Sequence, residues 1–241
     1  MKLDTRILPD LVSLSRAALE EILPIIQGAV TKRGRCAIAL SGGHTPEKMF
    51  SLWSQTAQYR DKTPWDRVHL FWSDERYVPA DDPRSNYHMA RETLISRVPI
   101  PAENVHPIPT SLTPPEQCAN AYESELRKFF GSEPPAFDVQ LLGIGEEGHT
   151  ASLFPGSPAL DEKQRWVMAV VAPVEPPLRL TLTPAILNQG RNTFFLVAGE
   201  SKRTIISAIR NEPDSPPSQY PAARIRPAGG AVWFLDQAAA G

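Results

Sequence analysis

Cysteine is nearly absent: the 241 residues hold two, Cys36 and Cys118, far apart and in no metal-like spacing. Two such residues supply neither a disulfide framework nor a cysteine-based metal site. Cys36 opens an apolar run and reads as a buried small hydrophobe. An excess of either charge is also missing, since 25 Lys and Arg stand against 27 Asp and Glu. That balance gives no electrostatic case for nucleic acid or an anionic membrane surface as a partner. No stretch approaches the ~20 apolar residues of a membrane span, and the charged residues 1–6 lead into no signal-type apolar core. Internal repeats and low-complexity tracts are missing too. The expectation is a cytoplasmic protein that acts on a small molecule, without membrane or nucleic-acid partner, as a monomer or weak homo-oligomer.

Proline is the one residue in excess, with 25, clustered over residues 99–115, 173–177 and 213–227. The clusters read as rigid surface connections, because apolar periodic segments resume after each. Apolar side chains at 8, 11, 14, 18, 19, 22, 25 and 26 recur with helical spacing and predict a helix across residues 8–26. Short apolar runs predict strands at 36–40, 68–72, 137–142, 166–171, 178–182, 193–197 and 231–235, with a further short strand at 104–108. Helices are predicted from Pro46 with Thr45 as N-cap, after Pro83, from Pro114 or Pro115, from Pro184 and after Lys202. The length allows one large domain or two small ones, and the sustained β-then-α alternation selects one. The predicted fold class is α/β: a mostly parallel, open, Rossmann-like sheet with helices on both faces, in a single domain over residues 1–241.

Four polar or glycine-rich segments each follow an apolar strand directly: Ser41-Gly42-Gly43-His44-Thr45, Ser73-Asp74-Glu75-Arg76, residues 143–150 and Gly199-Glu200-Ser201-Lys202. In a parallel sheet the carboxyl ends of the strands share one edge, where open α/β folds bind ligands. The glycines of 41–45 let backbone N–H groups approach an anion, with the Ser41 and Thr45 hydroxyls beside them. An ordinary strand-to-helix turn has the same composition, and the segment is neither a Walker A loop nor GxGxxG. Lys202 can reach the same anion or stay a solvated first-turn lysine. Arg179, between Leu178 and Leu180, needs a partner, either a structural carboxylate or a ligand phosphate. For residues 73–76 a local ion-pair cluster competes with Arg76 on a substrate oxygen and Asp74 orienting a histidine or a substrate hydroxyl.

The strongest signal is Gly143-Ile144-Gly145-Glu146-Glu147-Gly148-His149-Thr150. Three glycines let the backbone turn tightly, and two carboxylates and an imidazole are delivered at a strand end. Imidazoles exchange protons near neutral pH, so the segment points to catalysis. Among the five histidines, His69 in a strand, His88 on a helix and His106 between proline turns have structural readings. His44 lies in the proposed anion loop, from which it can point to solvent. His149 is singled out as functional, with Glu147 the neighbour that influences its charge.

With these segments placed, the chain resembles the 6-phosphogluconolactonases and, more distantly, the glucosamine-6-phosphate deaminase type of fold. The resemblance rests on residues 41–46, 72–79, 82–87, 137–156 and 177–183, nearly the whole chain. The long stretch Gly-x-Gly-x-x-Gly-His-Thr-Ala-Ser-Leu-Phe-Pro-Gly ending at Gly156 is its most specific part. Two positions depart from the family pattern: His44 stands where serine or arginine is common, and Glu147 where aspartate is.

The resemblance implies hydrolysis of 6-phospho-D-glucono-1,5-lactone to 6-phosphogluconate in the oxidative pentose phosphate pathway, with no cofactor and no metal. It implies a phosphate on Ser41, Gly42, Gly43, His44 and Thr45, assisted by Lys202 and Arg179. His149 is then the general base on water, and Arg76 stabilises the oxyanion or holds the substrate. Asp74 orients Arg76 or the sugar hydroxyls, and Glu147 lies at His149 or at a substrate hydroxyl. A deaminase or related isomerase is the alternative enzyme, sharing the phosphate loop and an aspartate at position 74. A sugar-phosphate sensor is the non-catalytic alternative, although no basic helix-turn-helix is visible. Residues 213–227 are a candidate lid.

Overall fold

Strand β1 (Asp4–Leu8) and helix α1 (Leu11–Arg33) open the chain, where a helix across residues 8–26 was expected. The Asp10 carboxylate accepts from Ser13 N at 2.7 Å and fixes the helix start at Leu11. Gly34, at φ 74°, ends the helix in the left-handed region that favours glycine. Strand β1 gives no apolar run, because it is an edge strand in which Asp4, Thr5 and Arg6 precede only two apolar residues. It pairs with a single neighbour. The computed structural model of the chain describes residues 3–131, 135–212 and 219–241.

The chain continues through β2 (Cys36–Leu40), α2 (His44–Gln55), α3 (Ala57–Arg60), β3 (Val68–Trp72), β4 (Asp74–Arg76), α4 (Asn86–Thr93) and α5 (Pro115–Phe130). There follow β5 (Val139–Leu142), β6 (Val167–Val171), β7 (Leu178–Leu182), α6 (Pro184–Leu187) and β8 (Thr193–Val197). The last elements are α7 (Arg203–Asn211), α8 (Pro221–Arg224), β9 (Ala231–Asp236) and α9 (Gln237–Ala240). Six strands form one parallel sheet in the order β1-β9-β8-β5-β2-β3, flanked by helices, which is the expected α/β fold class. Strands β2, β5 and β8 are buried along their whole length, as continuous apolar runs covered on both faces must be.

From β2 the chain moves outward to β3, whereas from β5 it moves the opposite way to β8. The crevice beyond the carboxyl ends of the adjacent β2 and β5 is therefore the topological switch point, the place where such sheets bind ligands. Both glycine-rich segments leave the sheet there.

A second, antiparallel sheet in the order β4-β7-β6 stands apart from the first, and α5 packs on it. Residues 74–76, expected in a loop, are thus a strand, and the predicted strands 166–171 and 178–182 belong to this sheet. Ser73 is the joint: its N–H (2.8 Å) and hydroxyl (2.6 Å) both donate to Leu40 O at the end of β2. Its own carbonyl accepts from Leu182 N in β7 at 2.8 Å. The chain steps from one sheet to the other without a loop, which hangs β4 over the carboxyl edge of the main sheet. The expected strand at 104–108 reduces to a single parallel bridge from Val105 to Leu70. Residues 213–218 of the candidate lid lie outside the described residues. The rest of that segment carries α8, whose Ala222 N donates to Gly148 O at 2.9 Å.

Candidate active site

A cavity of about 440 Å³ opens at the switch point, and residues of all four polar segments line it, among them Ser41, Arg76, His149 and Lys202. The segment after β2 turns at Gly43, whose φ of 100° ends the loop and makes it the residue before helix α2. Thr45 is therefore not the N-cap, and Pro46 is the third helical residue, where a missing N–H is still tolerated. With no side chain capping α2, its first-turn N–H groups have no intrahelical acceptor and face the crevice edge. Ser41, Gly42, Gly43 and Thr45 all line the cavity. His44 sits at its rim with a side chain 83% exposed, its Nδ1 3.6 Å from Glu47 Oε2.

Strand β4 sorts its residues by alternation. Tyr77 N donates to Leu178 O and Leu182 N to Ser73 O, each at 2.8–2.9 Å. The intervening pairs Asp74–Thr181 and Arg76–Arg179 are consequently the non-hydrogen-bonded, closer type, with their side chains on one face. Asp74, Arg76 and Arg179 line the cavity, whereas Glu75 turns away and is 2% exposed. Glu75 accepts from the backbone N–H groups of Arg76, Asn86 and Tyr87 and from the Ser85 hydroxyl, at 2.6–2.9 Å. Burial pushes its carboxyl above the usual range against those four donors.

Asp74, nearly buried, accepts from the Ser152 hydroxyl at 2.7 Å, and Asn86 Nδ2 donates to the Asp74 carbonyl at 2.9 Å. Arg76 donates through Nη1 to the Arg84 carbonyl, while its buried Nε has no partner. Arg179 donates through Nε to Pro176 O at 2.6 Å and so also anchors the β6–β7 turn. Burial first, and then Arg76, hold the Arg179 guanidinium below its ordinary pKa. Among the described residues neither arginine, nor Lys202, forms an ion pair. An anion in the cavity would be their first.

The His149 imidazole stacks on Phe154 with ring centroids 4.1 Å apart and planes at 27°. Its Nδ1 is buried and lies 3.1 Å from Glu147 Oε1, yet no hydrogen bond aligns with it. Glu147 was expected at His149 or at a substrate hydroxyl. It lies against the imidazole and does not line the cavity. Gly145 makes that pairing possible: a Cβ there would sit 2.0 Å from His149 Nδ1 and 2.4 Å from Glu147 Oε2. The turn is closed by Gly145 N on His149 O (2.9 Å) and by the Thr150 hydroxyl on Gly143 O (2.8 Å). Ala151, next along, holds φ 49°, a strained conformation for a residue with a Cβ, at the cavity wall.

Sequence reasoning had assigned no role to Asn86, Ser152 or Phe154, all of which line the cavity. Asn86 follows a helix-capping serine and Ser152 and Phe154 follow a histidine, positions whose pocket-facing side only the folded backbone reveals.

Fold and site together define a class: an open α/β protein whose ligand cavity, at the switch point, sets unpaired cations beside an imidazole. A family profile described as glucosamine-6-phosphate isomerases/6-phosphogluconolactonase matches residues 9–234. A 6-phosphogluconolactonase of Synechocystis sp. is 44% identical over 229 residues, 94% of this chain and 92% of its own. One from Nostoc sp. is 41% identical over 242 residues, 99% and 98% of the two chains. The crystal structure of a 6-phosphogluconolactonase from Thermotoga maritima superposes with a TM-score of 0.83 at 31% identity, covering 98% of this chain and 100% of that one. The chain belongs to the glucosamine-6-phosphate isomerase/6-phosphogluconolactonase family. Among the described residues, no helix is long and apolar enough to cross a membrane.

Proposed function

We propose that this protein is an enzyme that hydrolyses 6-phospho-D-glucono-1,5-lactone to 6-phosphogluconate in the oxidative pentose phosphate pathway, with His149 as general base. The relatives named above support the reaction. The observation that carries the chemistry is His149 itself, an imidazole in the cavity wall with a carboxylate 3.1 Å from its inner nitrogen. Its other ring nitrogen is then the one available to a water molecule. Water attacks the lactone carbonyl carbon as the imidazole takes its proton. The imidazolium so formed is stabilised by Glu147. Negative charge gathers on the carbonyl oxygen, and Arg76, whose Nε is unpartnered, receives it. Donors in this role are worth ~10²–10³ in rate when removed singly. Collapse of the tetrahedral intermediate breaks the bond from the carbonyl carbon to the ring oxygen, which recovers the proton from His149.

The phosphate is taken by the 41–45 loop, the start of α2, Lys202 and Arg179, where a dianion meets cations that form no ion pair among the described residues. His44, exposed and beside Glu47, contributes at the rim. Asp74 faces the sugar hydroxyls. Cys36 and Cys118, both free and buried, suit the reducing cytoplasm proposed as its compartment.

The test generates lactone in place from glucose 6-phosphate and follows its loss in wild type, His149→Ala and Arg76→Ala. Wild type should exceed the spontaneous rate, and the folded His149→Ala protein should lose at least ~10²-fold of it, the scale of one general base. A wild-type rate equal to background would remove the reading.

A further inference from the structure

The Asn86 carboxamide touches both halves of the site. Its backbone is fixed first: Asn86 N donates to Glu75 Oε1 at 2.8 Å, and Ser85, capping α4, donates its hydroxyl to Glu75 Oε2 at 2.9 Å. Its side chain, on a residue 3% exposed, reaches the cavity wall. There Nδ2 donates to the Asp74 carbonyl at 2.9 Å and reaches Asp74 Oδ1 at 3.4 Å. Both neighbours are acceptors, so the amide orientation is dictated: the reverse flip would set oxygen against oxygen.

On its other side the carboxamide lies flat against Gly42 of the anion loop. A Cβ at Gly42 would stand 1.8 Å from Asn86 Oδ1 and 2.3 Å from Cγ. The glycine is required there by this contact. Oδ1 is left as an acceptor with no donor among the described residues, between the anion loop and Asp74. An acceptor so placed beside a carboxylate makes a face that receives hydroxyl groups and rejects further anions.

We propose that Asn86 is a specificity-determining residue, whose Oδ1 accepts a hydrogen bond from a ring hydroxyl of the sugar-phosphate lactone while its Nδ2 fixes Asp74 against the anion loop. This rests on the lactonase reading and adds to it a residue that reads the sugar. It predicts that the site discriminates between sugars by hydroxyl position, not by phosphate and carbonyl alone.

The experiment is a coupling cycle between the residue and the substrate. Lactones of the 2-, 3- and 4-deoxy sugar phosphates are compared with the parent on wild type and Asn86→Ala, with kcat and KM separated. One deoxy substrate should lose about tenfold in kcat/KM on wild type, the scale of one hydrogen bond whose loss leaves a buried acceptor unpaired. That loss should vanish in Asn86→Ala, whereas the other deoxy substrates should lose equally on both proteins. If every deoxy penalty persists unchanged in the variant, Asn86 does not touch the sugar and the proposal fails. Asn86→Ser, which keeps a polar residue at the helix start, serves if the alanine variant does not fold. Calorimetric binding of 6-phosphogluconate and its deoxy analogues reads the same coupling without turnover. An absence of lactone hydrolysis by wild type would therefore count against the activity alone, and an absence of coupling against Asn86 alone.

Discussion

Arg76 and Arg179 are register partners across the β4–β7 ladder, in a non-hydrogen-bonded pair with both side chains facing the cavity. Like charges directly opposite each other destabilise a sheet. Asp74, Glu75 and Glu175 favour the charged form of Arg179, each by less than Arg76 opposes it, and burial opposes it most. Burial and the Arg76 charge thus disfavour this guanidinium, and a bound anion would favour it.

Binding of 6-phosphogluconate should therefore stabilise the fold through this pair. At a hundredfold excess over Kd, ligand adds ~2.7 kcal/mol, which corresponds to roughly 5–10 °C in a chain of this size. Arg179→Met should lose more than half of that thermal shift, while its unliganded Tm changes far less than the removal of a supporting ion pair would require. Differential scanning fluorimetry with and without ligand reads both quantities. A full ligand shift in Arg179→Met would place the anion elsewhere.

Gly145 offers a test of geometry at fixed chemistry. Its φ is not in the left-handed region, so alanine is compatible with the backbone, but the new Cβ meets His149 Nδ1 at 2.0 Å. The imidazole and the Glu147 carboxylate are side-chain ends and can yield, so the fold should survive. Displacing the base by about 1 Å is expected to cost ~10²-fold in kcat. Steady-state kinetics beside a melting curve would separate the two effects, and an unchanged kcat in Gly145→Ala would mean that the imidazole position is not critical.

Glu75 should behave as a structural anchor rather than a reacting group. Four donors converge on its two oxygens, and a glutamine would turn an amide N–H₂ towards at least two of them. Glu75→Gln is expected to lose ~2–3 kcal/mol of stability, the penalty of buried polar groups left unpaired. Because the same carboxylate fixes the backbone N–H groups of Arg76 and Asn86, KM should rise as well. Urea unfolding and KM measured on the same preparation test both, and an unperturbed midpoint would show that the network is dispensable.

How much of this was legible beforehand follows from which signals are local. The buried parallel strands are legible as short apolar runs, and the glycine segments at their ends mark the edge where the cavity lies. Strand β1 is not, because an edge strand with Asp4 and Arg6 has no apolar run to detect. Nor is β4: Ser73-Asp74-Glu75-Arg76 reads as a charged loop because its three strand residues are polar on both faces. Only pairing with β7 shows that Asp74 and Arg76 face the cavity while Glu75 is an anchor. The N-terminus of α2 was misplaced by the capping preference of threonine, which Gly43 overrides with a conformation open chiefly to glycine. Asn86 lies in the 82–87 stretch that carries the family resemblance, but its role was not legible there, since that role depends on Gly42 and Asp74, both distant in sequence.

The histidines outside the cavity predict how stability depends on pH. His69 Nδ1 lies 3.1 Å from His106 Nε2, and His106 Nδ1 lies 2.6 Å from Glu125 Oε1. Burial first, then His106 and Arg35, depress the His69 imidazole from 6.5 to about 4. The unfolded chain therefore binds a proton at this residue that the folded chain refuses between those two values. Stability from this group is fully present above pH ~6.5 and is lost progressively as pH falls towards ~4, because the unfolded state takes up more protons across that window. The facing groups are His106, Arg35 and the ring of Phe129, with Glu125 acting through His106. His69→Gln, which cannot titrate, should narrow the difference in Tm between pH 7 and pH 4.5 while leaving catalysis at neutral pH intact, since His69 does not line the cavity. Melting curves at the two pH values decide the matter: an undiminished difference in His69→Gln would assign the acid sensitivity to other groups.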